Sequence, residues 1–216
     1  MWSVVQQEAV IRSIGQVFVA ISLSTIVVVS AVAQSSKPAT GYDWSTPLAA
    51  SASLAKAMER HDQFASAYHA ATEDERALLR ALIEQDAAAA ALDKACVDRF
   101  KRGLPLSKQD TSRDQADIKG DEAFVYPGGK ESGMRIRWVR VKGEWKLPMA
   151  DILRAHLMSY KTLQKAIDQK QSWTGQLRKV TDEVCVGRYG SPEDVDKILG
   201  DLAEADDSAS TQPTKK

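Results

Sequence analysis

Three histidines, two cysteines and a scatter of carboxylates are the residues of this chain best suited to chemistry, and their spacing argues against most of it. His61, His69 and His156 are the only histidines in 216 residues. His61 and His69 flank an expected helix break. Even on an unbroken helix they would point about 80° apart, which is poor geometry for a shared metal ion. His156 lies between Leu153 and Tyr160 on the apolar side of an expected helix, the place of a packing histidine. A histidine base needs a nucleophile within hydrogen-bond reach and a third group to orient it. No serine, histidine and carboxylate stand in such an order. Glu73, Asp74 and Glu75 sit where a helix should begin, and there negative charge favours the helix rather than catalysis. No catalytic residue, cofactor or metal is expected.

Cys96 and Cys185 have no CxxC partner or neighbouring histidine, so a metal site is not expected from them. Two readings remain for them. They pair as a disulfide if the chain works in an oxidising compartment, or they are unrelated buried thiols that pack as small apolar side chains.

The compartment is indicated by the N-terminus. "VFVAISLSTIVVVSAVA", Val17 to Ala33, is apolar apart from serine and threonine, with Arg12 ahead of it and Glu8 opposing. Ala31-Val32-Ala33 has the small-x-small form that signal peptidase accepts, which places cleavage before Gln34. The alternative is an uncleaved anchor, because Val10, Ile11 and Ile14 extend the apolar run backwards. Both readings put the remaining chain outside the cytoplasm, periplasmic or extracellular. Basic and acidic residues balance at 29 each, so no overall field attracts nucleic acid. Contact with a membrane is expected only through an uncleaved N-terminus.

The elements that must position these residues are legible as segments. Residues 1–33 are the signal peptide or anchor, 34–44 a linker, 45–205 a single α+β domain and 206–216 a disordered tail. Ser45 or Thr46 and Pro47 open a helix with Leu48, Ala52, Ala55 and Met58 on one face. "DQFASAYHAAT" reads as a short second helix. Thr72 and Glu75 form a capping box for a long helix over roughly 73–101, striped by Leu78, Leu82, Ala89, Leu92 and Cys96. One strand precedes Gly120 and another runs through Phe124, Val125 and Tyr126. "MRIRWVRVKGEWKLPM" is a hairpin turning at Lys142-Gly143, with Trp138 opposite Leu147. Ile136, Trp138, Trp145 and Leu147 share its core face. Arg135, Arg137, Val139 and Lys146 share a wetter one, where alternating charge also discourages edge pairing. A small antiparallel sheet of three to four strands results. Helical spacing then runs from Ile152 through Ile167 to Val184, with Gly175 as a weak point. Ser191, Pro192 and Asp194 start a last helix carrying Val195, Ile198, Leu199 and Leu202.

"STPLAASASLAKAMERHDQFASAYHAATEDERALLRALIE" and the hairpin with its "GEWK" turn resemble the nuclear transport factor two-like, SnoaL-like group, a layout common among exported bacterial proteins. The resemblance covers about half of the mature chain. It implies a cone of helices on a curved sheet, with an interior pocket. Catalytic members of that group use an Asp-His pair inside the cone, and no matching pair is assigned here. The helices that continue beyond the hairpin depart from the pattern. The expected function is therefore an exported non-enzymatic domain with a small-molecule pocket or a protein-binding face. The alternative is a helical envelope adaptor anchored by its N-terminal segment, and the third reading is an enzyme of the same cone fold.

Intact mass of the protein recovered from its producing cells is expected to show a chain beginning at Gln34. A full-length species extracted only with the membrane would mean an anchor.

Overall fold

The computed structural model describes residues 41–61, 64–105 and 110–210. Ala31, Ala33 and Gln34 of the cleavage site lie outside the described residues. Among the described residues, five α-helices and five strands follow in the order α1 (Pro47–Arg60), β1 (Tyr68–His69), α2 (Glu73–Phe100), β2 (Gln115–Lys119), β3 (Glu122–Tyr126), β4 (Ile136–Val141), β5 (Glu144–Pro148), α3 (Met149–Tyr160), α4 (Leu163–Cys185) and α5 (Pro192–Ser210). The fold is α+β. Among the described residues, no helix is long and apolar enough to cross a membrane.

The strands form one mixed sheet in the order β1-β5-β4-β3-β2. β2 to β5 are antiparallel neighbours, and β1 adds in parallel to β5, with Tyr68 opposite Leu147. The β4–β5 hairpin has the expected register: Val141 pairs with Glu144 across Lys142-Gly143. Both turn residues have positive φ, 53° and 88°, which matches the right-handed twist of the strands. Ile136, Trp138, Trp145 and Leu147 all belong to the sheet's core or pack on its margin.

Two apolar clusters hold the chain together, and α2 belongs to both. In the first, Leu78 and Leu82 meet Ala50 and Met58 of α1 and Ala123, Val125, Trp138, Trp145 and Leu147 of the sheet. In the second, Ala88, Ala89, Leu92 and Cys96 meet Trp173, Leu177, Val180 and Val184 of α4 and Val195 and Leu199 of α5. Small side chains at Ala88, Ala89 and Ala90 are buried, so α2 and α4 approach closely. Thr72 caps α2 through the Glu75 N–H, and the Glu75 carboxylate accepts the Ala71 N–H, one residue further back than a standard capping box. Beyond the helix, Asp93 accepts the Leu104 N–H at 2.8 Å and fills the space where a Gly103 Cβ would stand only 2.5 Å away.

Several expectations are corrected. The sheet has five strands rather than three or four. "FASAYH" is a 3₁₀ turn, Phe64–Ala67, followed by β1, because the edge of β5 offers backbone partners that local propensity does not register. On α1 the buried face holds Ala50, Ser51, Ser53, Ala57 and Met58, while Leu48 stays exposed. Small residues face the strands and let the helix lie close. The helical run after Pro148 breaks at Lys161, which takes φ 67°, and Thr162 caps the new helix through the Lys165 N–H. α4 then passes through Gly175 without a break. The expected linker is structured at its end: Trp145 donates its N–H to the Trp44 carbonyl, and the Asp43 N–H donates to Ser53. α5 continues to Ser210, beyond the expected start of the tail.

Trp138 is fully buried at the centre of the sheet core. Trp138→Ala is expected to cost about 3–5 kcal/mol in urea unfolding. Arg135→Ala, which removes a cation 5.0 Å above the Phe124 ring on the other face, is expected to cost about 0.5–1 kcal/mol.

Candidate functional site

The chemistry-bearing residues come together differently from the way their spacing suggested. His61 follows α1 and adopts left-handed backbone, φ 50°, with its N–H bonded back to the last turn. Its Nδ1 lies 2.5 Å from Oδ1 of Asp86, in the middle of α2. The imidazole has no solvent-accessible surface, and the Asp86 side chain keeps 17%. Tyr68 of β1 is buried beside them. Loss of solvent first, and the Asp86 charge second, push its phenol well above the ordinary range, so it stays neutral. An imidazole, a carboxylate and a phenol therefore share one enclosed spot between α1, α2 and β1.

A carboxylate beside an imidazole orients the ring. Proton transfer to a substrate also needs a ring nitrogen that the substrate can reach. The His61 ring is enclosed in this structure, and its bond to Asp86 fastens the end of α1 to α2. Sequence reasoning named His61 but compared it with His69, which lies instead on β1 opposite Pro148. Asp86 was missed, because nothing local marks one carboxylate on a long helix as the partner of a residue 25 positions away.

His156 occupies the packing role expected of it. Its Nδ1 bonds to the Ile152 carbonyl at 2.9 Å, and its ring lies 6.1 Å from that of Tyr160. Burial, helped by the positive charge of Lys170 on α4, pushes it down to about 4. Of the remaining carboxylates, Glu73 pairs with Arg76 and Arg80 on the exposed side of α2. Asp117 pairs with Lys130 and accepts the Tyr126 hydroxyl on the wet face of the sheet. Asp114 accepts the Gly128 N–H and the Ser51 hydroxyl, tying a loop to α1. Among the described residues, no group of three or more histidines, cysteines and carboxylates is placed to hold a metal.

The cysteines are both free thiols, Cys96 buried and Cys185 exposed. The expectation of two buried thiols therefore fails for Cys185, which lies at the last position of α4.

One further feature stands apart from the enclosed polar groups. α3 is rich in apolar residues, yet Met149 is its only buried one. Ile152 and Leu153 pack partly on the sheet core. The opposite stripe holds Ala150, Arg154, Leu157 and Met158, and continues to Lys161. These spacings place Ala150, Arg154, Leu157 and Met158 on one side of the helix, and exposed Lys161 follows at its C-terminal end. Leu157 is 37% exposed and Met158 59% exposed. In comparison with known proteins, the chain matches no family model, no curated protein and no solved structure.

His156 is expected to make stability acid-sensitive. Its unfolded form takes a proton near 6.5 and its folded form only near 4. Its contribution is therefore present above 6.5 and is lost as the pH falls to about 4, by at most about 3 kcal/mol. Urea midpoints measured across that window should fall more steeply for wild type than for His156→Leu. Equal slopes would refute the assignment.

Proposed function

We propose that the protein is an exported, non-enzymatic binding domain that uses the outer face of α3 to hold an amphipathic helix of a partner protein. The observation that carries this reading is the Leu157–Met158 patch, left exposed on the side of α3 away from the residues that pack on the sheet core. Contiguous apolar surface of this kind is costly to leave in water, and it commonly marks a contact. Met158 is flexible and polarizable, so it adapts to an irregular partner surface. Arg154, with 76% of its side chain exposed, and exposed Lys161 flank the patch. The complementary helix therefore has an apolar centre and acidic flanks.

The other readings have less support. A helical adaptor working through its C-terminal helices needs an open apolar stripe there. The stripes of α4 and α5 are instead spent inside the second cluster, at Trp173, Leu177, Val180, Val184, Val195 and Leu199. An enzymatic reading has the His61–Asp86 pair, but the imidazole is enclosed. We read the sheet half as a variant of the nuclear transport factor two-like cone. The support is α1 lying against the apolar face of the strands; α4 and α5 extend beyond that plan.

The test is a photo-crosslinking residue at position 158 of the full chain in its producing cells, with the exposed position 175 of α4 as control. A discrete protein adduct is expected from 158 only, and it should disappear when Leu157→Glu is added. That substitution should change stability by no more than about 0.5 kcal/mol, because the site is on the surface. Adducts to lipid alone, the same adduct from both positions, or no adduct would each overturn the proposal.

A further inference from the structure

The far ends of α2 and α4 meet at a seam that carries both cysteines. Cys96 is fully buried in the second cluster, in company with Val184, the residue before Cys185. One turn further along α2, Arg99 lies so close to Gly187 that a Cβ there would run into its guanidinium. Residues 184–187 are thus laid along residues 96–99. Within that seam the two thiols differ: Cys185 faces solvent and Cys96 does not.

We propose that Cys96 and Cys185 are an oxidisable pair that closes in a fixed order, with Cys185 captured first by a disulfide-bearing oxidant and Cys96 completing the bridge. This inference is independent of the α3 binding face.

The order follows from access and ionisation. A thiolate is the attacking species, and exposure governs which one an oxidant meets. Cys96 has neither advantage. Burial foremost, then the charges of Asp93 and of Cys185 itself, push its thiol up to about 12. The contribution from Cys185 also places that group close by. In the first step the Cys185 thiolate attacks one sulfur of the oxidant's disulfide and expels the other half as a thiolate. In the second, Cys96 gives its proton to solvent, attacks the Cys185 sulfur and releases the remaining half. Two thiol hydrogens leave as protons, and the two electrons reduce the oxidant's disulfide to two thiols.

The second step requires the end of α4 to loosen, because Cys96 cannot otherwise reach the mixed disulfide. Cys185 is the last residue of α4 and Val186 beside it is 82% exposed, so only the turn beyond Val184, held by the backbone bonds of Val186, Gly187 and Arg188 and by the contact of Gly187 with Arg99, has to open. The closed bridge would join the ends of α2 and α4 covalently, across a loop that contains β2 to β5. An oxidising compartment would keep it closed.

Glutathione disulfide is the probe, added to the purified, reduced full chain and followed by intact mass and peptide mapping. Wild type is expected to show a transient glutathione adduct on Cys185. A species lighter than the reduced chain by the two thiol hydrogens should follow. Cys96→Ala should stop at the adduct, and Cys185→Ser should form neither product quickly. Urea below the unfolding transition should speed the second step and not the first. A wild-type adduct that persists, or an adduct that appears first on Cys96, would overturn the proposal. The wild-type time course decides this even if Cys96→Ala fails to fold.

Discussion

The structure depends on one helix that changes partners along its length. α2 has 28 residues, so it spans about 42 Å, more than one small core can cover. Its first half presents Leu78 and Leu82 to the sheet, and its second half presents Leu92 and Cys96 to α4 and α5. Neither cluster is complete without it. The sheet would lose the wall behind Trp138, and the C-terminal helices would lose the surface on which they are assembled. The alanines between the two halves let α4 start on the sheet side, where Leu163 packs, and follow α2 outward.

Polar side chains fix where the chain enters and leaves this frame. Glu75 receives the backbone ahead of α2, and Asp93 receives the backbone that turns away after it. His61 and Asp86 join the end of α1 to the middle of the same helix. Such groups are expensive to bury unless they are bonded, so each contact also excludes alternative paths for the chain. Glu75, Asp86 and Asp93 of α2 thereby fix the path of the chain around the helix. The outer side of α3, with Leu157 and Met158, lies outside what α2 covers and stays exposed.

Much of the local structure was legible in residues a few positions apart. Thr46, Thr72 and Ser191 cap helices where their types and neighbours implied. The alternation across Lys142-Gly143 set both the turn and the register, and it placed Trp138 and Trp145 on one side. Stripes at helical spacing in α2, α4 and α5 identified their buried faces. These features depend on interactions within one helical turn or across one tight turn, so a short window of sequence contains both partners.

Other features required the folded chain. β1 exists because the edge of β5 supplies its hydrogen bonds, from residues about 80 positions away, as the Lys146 ammonium bonded to the Ser66 carbonyl also shows. The face of α1 that is buried was decided by the close fit of small side chains against the strands, which overrode the more apolar stripe through Leu48. Asp86 became the partner of His61 only when the left-handed turn after α1 aimed the imidazole at α2. The sequence by itself determined most of the helices and strands, where most of them begin, and the buried stripes of α2, α4 and α5. Tertiary structure alone decided the fifth strand, the two clusters sharing one helix, the enclosure of His61 and the exposure of Leu157 and Met158. Burial is a property of what covers a residue, and the covering atoms come from elsewhere in the chain.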